Sequence, residues 1–204
     1  MIDAIMAHSK LSKPEAKKLA LEALEAVALP SEVMKMYPHE LSGGMKQRVC
    51  IAMAITLKPT FIVADEPVTA LDVIVQRSVL ENIAELRDKF GITVLLIAHD
   101  MAVHAEVVDN LAIMYAGKIV EIGSAYDVFG KPLHPYTQGL IDSIPSIGKE
   151  SIRGIPGLSP SPLSWPPGCR FHPRCPHAME ICRREEPVLR EIKNGRWVAC
   201  HLYR

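Results

Sequence analysis

The sequence has no long hydrophobic run and no excess of either charge. No apolar stretch approaches the roughly 18 residues that a membrane helix needs, and Asp3, His8 and Lys10 leave no room for the apolar core of a signal peptide. Basic and acidic residues number 23 each, so the formal net charge is zero. Because nucleic-acid-binding proteins usually carry a basic excess, this balance argues against nucleic acid as a partner. The sequence predicts a soluble, cytoplasmic chain whose link to a membrane comes through a partner.

A phosphate-binding loop of the form G-x-x-x-x-G-K-[ST] is also absent. In proteins that have this loop, its backbone N–H groups and its lysine cradle the nucleotide phosphates. The sequence therefore lacks that phosphate cradle. Its 204 residues, 49% of them hydrophobic, nevertheless suffice for one sizeable domain or for one and a half.

A different pattern does point to phosphate, because Ser42, Gly43 and Gly44 open an expected helix over residues 45–57. Ser42 can cap this helix, the glycine N–H groups can approach an anion unhindered, and the positive end of the helix dipole faces it. A serine and two glycines before a helix are equally typical of a simple cap and turn. The order of the motifs that follow favours the phosphate site.

Two apolar runs predict parallel strands that deliver polar residues to one edge of a sheet. Residues 60–65 form an expected strand that ends at Asp65 and Glu66, and residues 92–98 form a second one that ends just before His99. With the helix between them they make a βαβ unit, and their near-continuous apolar character indicates a sheet covered on both faces. Ligands bind at the carboxyl edge of such sheets. Two adjacent carboxylates there suit magnesium and water.

Capping and turn signals predict the other elements. Ser12 and Glu15 have capping-box spacing at the start of a helix over 12–29. Cys50, inside the helix after Gly44, is expected to be a small buried apolar side chain. The remaining expected elements are a helix over 73–90, a helix over 101–108, and a hairpin of strands 111–115 and 118–122 around Ala116 and Gly117.

Beyond about residue 130 prolines accumulate, regular periodicity fades, and four of the five cysteines appear. They are Cys169, Cys175, Cys182 and Cys200, spaced C-x5-C-x6-C-x17-C. Disulfides are the less expected use in a cytoplasmic chain. Four thiolates can hold zinc or an iron–sulfur cluster, although the close C-x2-4-C pairs of structural zinc sites are missing. The spacing favours a metal site, with nearby histidines as rival ligands and unligated thiols as the alternative.

The motif series as a whole resembles the ATP-binding subunits of ABC transporters. Leu41–Gly44 is similar to their signature motif, Asp65 and Glu66 to Walker B, Thr69–Asp72 to the D-loop, and His99 to the switch histidine. The carboxyl-terminal motifs narrow the resemblance to the oligopeptide and dipeptide transporter ATPases. These motifs are His134–Thr137, Gly154–Gly157, and the segment from Gly168 through Cys175 to Cys182 and Cys200.

The resemblance implies an α/β fold with a partial P-loop ABC ATPase domain over 1–130, made of a helical subdomain and a parallel βαβ part. A small, irregular Cys- and Pro-rich extension over 131–204 would follow it. In this family two subunits sandwich two nucleotides, and the signature of one faces the γ-phosphate held by the other. The residues implied to contact ATP or Mg²⁺, or to couple the two subunits, are Ser42, Gly43, Gly44, Gln47, Asp65 and Asp72.

The resemblance also implies chemistry at other positions. Glu66 would accept a proton from the attacking water or orient it, and His99 would contact the γ-phosphate and sense its loss. The four carboxyl-terminal cysteines, Cys169, Cys175, Cys182 and Cys200, would hold a [4Fe–4S] cluster, with zinc as the alternative.

The partners of the family would place the chain at the cytoplasmic face of a membrane. They are a second ATP-binding subunit, identical or different, permease subunits and, indirectly, a substrate-binding protein. ATP hydrolysis would drive import of oligopeptides, dipeptides or an allied substrate such as nickel. Because the Walker A loop, the glutamine loop and the adenine-stacking aromatic of the family are missing, we expect the carboxyl-terminal part of a longer subunit, inactive alone. The alternative is a non-hydrolysing metal-binding or regulatory module derived from an ABC ATPase.

Overall fold

The first half of the chain is largely helical. The computed structural model describes residues 1–144 and 154–203, and the chain divides into two units, Met1–His99 and Asp100–Arg204. The helices of the first unit are α1 (Ile2–His8), α2 (Lys13–Ala26), α3 (Gly43–Ile55) and α4 (Val73–Phe90), with short 3-10 turns at Ser31–Lys35 and Pro38–Glu40. No helix in the described ranges is long and apolar enough to cross a bilayer.

The expected capping box at Ser12 and Glu15 and the expected cap at Ser42 are confirmed. Glu15 accepts the backbone N–H of Ser12 at 2.7 Å, so the capping box forms at the start of α2. Ser42 and Asp72 cap α3 and α4 by accepting backbone N–H groups three residues on. Gly91 ends α4 in the left-handed conformation, with φ of 62°. Among the α-helices described in the first unit, α1 was not foreseen from the sequence.

The core of the first unit lies where α2, α3 and α4 meet. Its fully buried members include Leu24, Val27 and Ala52. The expectation that Cys50 is buried is wrong, because α3 turns this side chain away from that core and it is exposed. Met53, three residues further along α3, is likewise 53% exposed. The apolar stripe of α3 is therefore narrower than its sequence indicates.

Strands β1 (Phe61–Asp65) and β2 (Thr93–Ile97) form the expected parallel pair, with Val63 opposite Leu95 and Asp65 opposite Ile97. Exposure alternates along both strands. The expectation of a sheet covered on both faces is wrong for the described residues, because one face leaves four large apolar side chains 45–53% exposed. These are Phe61, Val63, Leu95 and Ile97, which we call the open face.

The second unit is built on a four-stranded antiparallel sheet in the order β3-β4-β6-β5. Its strands are β3 (Asn110–Tyr115), β4 (Lys118–Ser124), β5 (Arg190–Lys193) and β6 (Arg196–Val198). The expected hairpin turn at Ala116 and Gly117 is present, with φ of 49° and 78°. Both values are positive, as a tight hairpin turn with the right twist requires.

In the described part of this unit, the sheet is joined by α5 (Met101–Val107), α6 (Ala125–Gly130), α7 (Pro135–Asp142) and 3-10 turns at His172–Arg174 and Glu180–Arg183. Phe171 is 1% exposed and lies with Tyr115 and Val128 in one core, its ring 5.1 Å from that of Tyr115. The segment after residue 131 therefore shares a core with β3. The domain boundary expected at 130/131 stays a prediction from sequence, while the structural units divide at 99/100.

Candidate functional site

Parallel pairing brings Asp65, Glu66 and His99 to one edge of the β1–β2 sheet. Asp65 is the last residue of β1, and His99 follows β2 by two residues. Glu66 has a left-handed backbone with φ of 47°, and its N–H donates to the carbonyl of Ile97 at 2.8 Å. The strand edge thus continues by one hydrogen bond beyond Asp65 and places the Glu66 side chain beside the end of β2.

The Glu66 carboxylate is held on both of its oxygens. Thr69 Oγ1 donates to Oε2 at 2.6 Å, and His99 Nδ1 lies 3.1 Å from Oε1. These two contacts, with the Thr69 hydroxyl contributing most, hold the pKa of Glu66 below its ordinary value. The carboxylate is therefore ionised near neutral pH and can accept a proton. It also stays open to solvent, since its side chain is 45% exposed and that of His99 is 76% exposed.

The two glycines that begin α3, directly after its cap Ser42, lie close to the start of α4 and to Leu71 just before it. A Cβ on Gly43 would approach the Leu71 side chain to 3.1 Å, and one on Gly44 would approach Val75 Cγ1 to 2.7 Å. A side chain at position 44 would therefore collide with α4, whereas one at position 43 would need only a small shift of Leu71. The N–H of Met45 is capped by Ser42 at 3.3 Å, so a simple cap explains part of the pattern.

Asp72, implied by resemblance to couple two subunits, caps α4 through the N–H of Val75 at 3.0 Å. Gln47 lines a cavity of about 310 Å³ whose wall also includes Asp65, Cys50 and Arg87. The structure therefore brings Gln47 and Asp65 to one cavity. The assignment of these residues to nucleotide or magnesium stays a prediction.

The four carboxyl-terminal cysteines are free thiols, and Cys182 is buried. Burial raises the pKa of Cys200 to about 11, and the thiols of Cys169, Cys175 and Cys182 add to the rise. The Cys169 N–H donates to the Cys182 carbonyl at 2.8 Å. Across residues 1–144 and 154–203, however, no group of three or more His, Cys, Asp or Glu side chains is arranged to hold a metal ion. Neither zinc nor a cluster gains support from the geometry.

Two contacts at this site were not foreseen from the sequence. Thr69 was noted only as part of a motif, yet it holds Glu66. Gln76 Nε2 donates to the carbonyls of Val68 at 3.3 Å and Leu71 at 3.1 Å. Spacing gives a signal for the first, because a threonine three residues after an acid in a turn can reach back to it. No comparable signal marks Gln76, since its partners are backbone atoms.

Two family models match the chain. The one described as "ABC transporter" matches residues 5–69, and the one described as "Oligopeptide/dipeptide transporter, C-terminal region" matches residues 120–182. The matched ranges include the Ser42–Gly44 turn, the Asp65–Glu66 pair, and three of the four cysteines.

Curated relatives match nearly the whole chain. The oligopeptide transport ATP-binding protein AppD of Bacillus subtilis is 46% identical over 98% of this chain, and OppD of Escherichia coli is also 46% identical over 98%. The dipeptide transport ATP-binding protein DppD of E. coli is 42% identical over 98%. The chain spans 62%, 60% and 63% of the length of these three relatives.

Solved structures agree in fold. The ADP conformation of MJ1267, described as an ATP-binding cassette of an ABC transporter, matches with a TM-score of 0.51 at 30% identity, over 56% of this chain and 46% of that one. The dimeric post-hydrolysis state of the cassette MJ0796 bound to ADP and Pi matches with a TM-score of 0.50 at 30% identity, over 56% and 49%. The chain therefore belongs to the family of ATP-binding proteins of oligopeptide and dipeptide ABC transporters.

Proposed function

We propose that this chain belongs to an ATPase subunit that powers import of oligopeptides or dipeptides. It carries the residues for ATP hydrolysis at the carboxyl edge of its β1–β2 sheet. The observation that carries the proposal is the Glu66 carboxylate, ionised and held between Thr69 and His99 directly after Asp65. Phosphoryl transfer needs little covalent chemistry from a protein, and mostly needs positioning and charge neutralisation. A fixed carboxylate next to a second acid at a strand end meets that need.

Each residue has a separate task in this proposal. Asp65 holds Mg²⁺, through water, and Glu66 accepts a proton from the attacking water or orients it. His99 contacts the γ-phosphate through Nε2, since Nδ1 faces Glu66. Ser42, Gly43 and Gly44 contact the γ-phosphate of a nucleotide held mainly by a second subunit, and Gln47 and Asp72 lie beside that contact. Backbone N–H groups at a helix start stabilise such negative charge.

We propose that a further segment packs on the β1–β2 sheet, because its open face is uncovered in the described residues. Parallel sheets occur almost only with both faces covered. The relatives have about two fifths of their length outside the match. We propose that a segment equivalent to that part covers Phe61, Val63, Leu95 and Ile97 and supplies the absent phosphate loop.

The proposed partners follow from the family. They are a second ATP-binding subunit, identical or different, and permease subunits that place the pair at the cytoplasmic face of the membrane. A substrate-binding protein would deliver the peptide, or an allied substrate such as nickel, to the permease. The dimeric state of the cassette MJ0796 bound to ADP and Pi supports the pairing of two such subunits.

We further propose that Cys169, Cys175, Cys182 and Cys200 are ligands of a [4Fe–4S] cluster. The chemistry of the side chains supports this, because all four are free thiols and four cysteine thiolates are the usual ligands of a [4Fe–4S] cluster. A cluster would join distant parts of a segment with little regular structure, and its binding would release the thiol protons. A single zinc ion held by the same four thiolates is the alternative.

Anaerobic purification tests the cluster. Iron, sulfide and visible absorption are measured for the parent chain, for Cys200→Ser, and for Cys50→Ser as the matched control in the other unit. We expect iron and sulfide in the parent and the control, and their loss in Cys200→Ser. Stoichiometric zinc, or no metal in anaerobic parent protein, would overturn this assignment.

The ATPase proposal is tested by joining the chain to a segment that its relatives have outside the match. Mg-ATP hydrolysis is measured for this chain alone, and for the chain joined to the unmatched segment of the B. subtilis AppD relative, with Glu66→Gln in the joined protein as control. We expect negligible hydrolysis by the chain alone, and turnover by the joined protein that Glu66→Gln abolishes. A folded joined protein that binds ATP without hydrolysing it would favour the regulatory alternative.

A further inference from the structure

Backbone hydrogen bonds form two successive turns in the loop between β1 and α4, and the first turn begins at Glu66. The N–H of Thr69 donates to the carbonyl of Glu66 at 3.2 Å, and the N–H of Leu71 donates to that of Val68 at 3.3 Å. Glu66 and Ala70 both have positive φ, at 47° and 62°. This backbone path, uncommon for residues other than glycine, turns the chain back so that the Thr69 hydroxyl reaches the carboxylate of Glu66.

We propose that Thr69 is a positioning residue that fixes the Glu66 carboxylate at the sheet edge through the hydrogen bond from Oγ1 to Oε2. Its consequence for catalysis rests on the function proposed above, whereas the positioning itself does not. The bond is 2.6 Å long, shorter than the 3.1 Å contact between Glu66 and His99. Of the two groups that hold the carboxylate, Thr69 is the nearer in space and in sequence.

Two features suit Thr69 to this role. Its side chain is β-branched, so few χ1 rotamers are open to it and its hydroxyl is well placed. The hydroxyl is also neutral, so it lowers the proton affinity of the Glu66 carboxylate less than a charged donor would. A lysine or arginine in its place would hold the carboxylate more strongly and would make it a weaker base.

Gln76 supports the backbone from which Thr69 acts. Its amide donates to the carbonyls of Val68 and Leu71, which flank Thr69 and Ala70. Gln76 lies on the first turns of α4, whose start is capped by Asp72. The loop is therefore tied to a helix at two carbonyls, and the position of the hydroxyl follows from that attachment.

Thr69 and His99, the two groups that hold the Glu66 carboxylate, differ in whether they can move away from it. His99 is 76% exposed and its ring can leave Glu66 to meet a phosphate. Thr69 lies in the same loop as Glu66 and remains in place when His99 moves. The carboxylate would then keep its orientation during the step in which the attacking water must be held, which is when orientation matters most for rate.

Carbon-13 NMR of this chain, labelled at the glutamate carboxyl groups, tests the positioning without any nucleotide. The Glu66 signal is identified as the one missing in Glu66→Gln. Spectra are taken at about pH 8, where glutamates are ionised, so that a shift reports environment rather than protonation. We expect Thr69→Val to move the Glu66 signal and, in protein that also carries nitrogen-15 histidine, to alter the Nδ1 signal of His99. Thr69→Ser, which keeps the hydroxyl, should restore both.

Thr93→Val is the matched control, since Thr93 is an exposed threonine of β2 in the same unit. It should leave the Glu66 signal where it is. Thr69→Ala provides a second way to remove the hydroxyl, and we expect it to displace the Glu66 signal in the same direction. An unmoved Glu66 signal in both hydroxyl-free variants, or no restoration by Thr69→Ser, would overturn the proposal.

A second measurement separates this proposal from the proposed function. In the joined protein described above, Thr69→Val should lower kcat by between about tenfold and about a hundredfold and leave KM for ATP unchanged, with Thr69→Ser near the parent. If the NMR signals move as expected and the unsubstituted joined protein does not hydrolyse ATP, the proposed function fails and the positioning stands. An unchanged kcat in Thr69→Val, in a joined protein that hydrolyses ATP, would show that the hydroxyl does not position a catalytic group.

Discussion

Arg196 and Glu121 form a buried ion pair, 2.7 Å from Nη2 to Oε1, across 75 residues of sequence. Glu121 on β4 is fully buried, and its carboxylate also accepts the N–H groups of Leu133 and His134, each at 2.9 Å. Arg196 on β6 donates as well to the carbonyl of Lys131 at 2.7 Å. The pair therefore joins two strands and the chain that leads into α7.

Arg196→Met should destabilise the second unit by about 3–5 kcal/mol, because it leaves the Glu121 carboxylate buried without its cation. Urea unfolding followed by fluorescence measures the loss. The double variant Glu121→Gln with Arg196→Met should be more stable than Arg196→Met alone, since no buried charge remains. Equal stability of parent and Arg196→Met would show that the pair contributes nothing measurable.

His134 should make stability depend on pH. Burial lowers its pKa from 6.5 to about 4 in the folded protein, so the unfolded chain binds more protons between these values. The stabilisation is present above pH 6.5 and is lost as the pH falls toward 4. His134→Asn keeps an acceptor for the N–H of Tyr136 but cannot titrate. We expect a flatter dependence of the unfolding free energy on pH in this variant, and an unchanged slope would contradict the assignment.

Gly168→Ala should destabilise the second unit by more than about 2 kcal/mol. Gly168 has φ of 67°, and a Cβ there would lie 2.5 Å from the carbonyl oxygen of Cys182. Gly130→Ala is the control, because nothing lies within 4 Å of a Cβ at the end of α6. Thermal unfolding of both variants gives the comparison. A Tm for Gly168→Ala equal to that of the control would show that the backbone at residues 168 and 182 can shift to accommodate the Cβ without loss of stability.

Substitutions on the open face should affect association with a second segment without affecting the stability of this chain. Val63→Ser with Leu95→Ser should change the stability of this chain by less than about 1 kcal/mol, since both side chains are about half exposed. The same pair should weaken association with the separately expressed segment unmatched in AppD. Val94→Ser, on the covered side of β2, should instead lower the stability of the chain itself. Undiminished association of the double variant would place the partner elsewhere.

In a subunit that hydrolyses ATP, Glu66→Gln should slow turnover by at least about a hundredfold and spare ATP-driven dimerisation. The amide keeps the shape of the side chain but cannot take a proton. Size-exclusion chromatography with Mg-ATP measures the dimer, and phosphate release measures turnover. A variant that still hydrolyses ATP within a few-fold of the parent would assign the base to another residue.

Local signals in the sequence were sufficient for most elements of the fold. The helix Val73–Phe90 has the predicted bounds, because its apolar periodicity and the glycine that follows it mark its extent. Strands β1 and β2 were foreseen within a residue or two at each end from their apolar runs. These features depend on neighbouring residues only, so a single sequence carries them.

Features that depend on distant packing were not foreseen. Cys50 looked apolar enough to be buried, but α3 presents another face to its neighbours. The open face was unexpected because apolar strands indicate a covered sheet whether or not the covering part is present. At the site, strand order predicted that Glu66 and His99 lie together. The hydrogen bond from Thr69 also depends on the left-handed backbone of Glu66, which the residue type does not predict.

The order of strands in the second sheet has a consequence for biosynthesis. Strand β6 pairs with β4, yet the ion pair that fastens them spans 75 residues. A ribosome must therefore finish Arg196 before the hairpin of β3 and β4 receives its third strand. Until then the unpaired backbone groups along the edge of β4 can pair with a strand of another chain, which favours aggregation. We expect this half of the chain to fold late and to depend on chaperones more than Met1–His99, whose parallel pair is complete by Ile97.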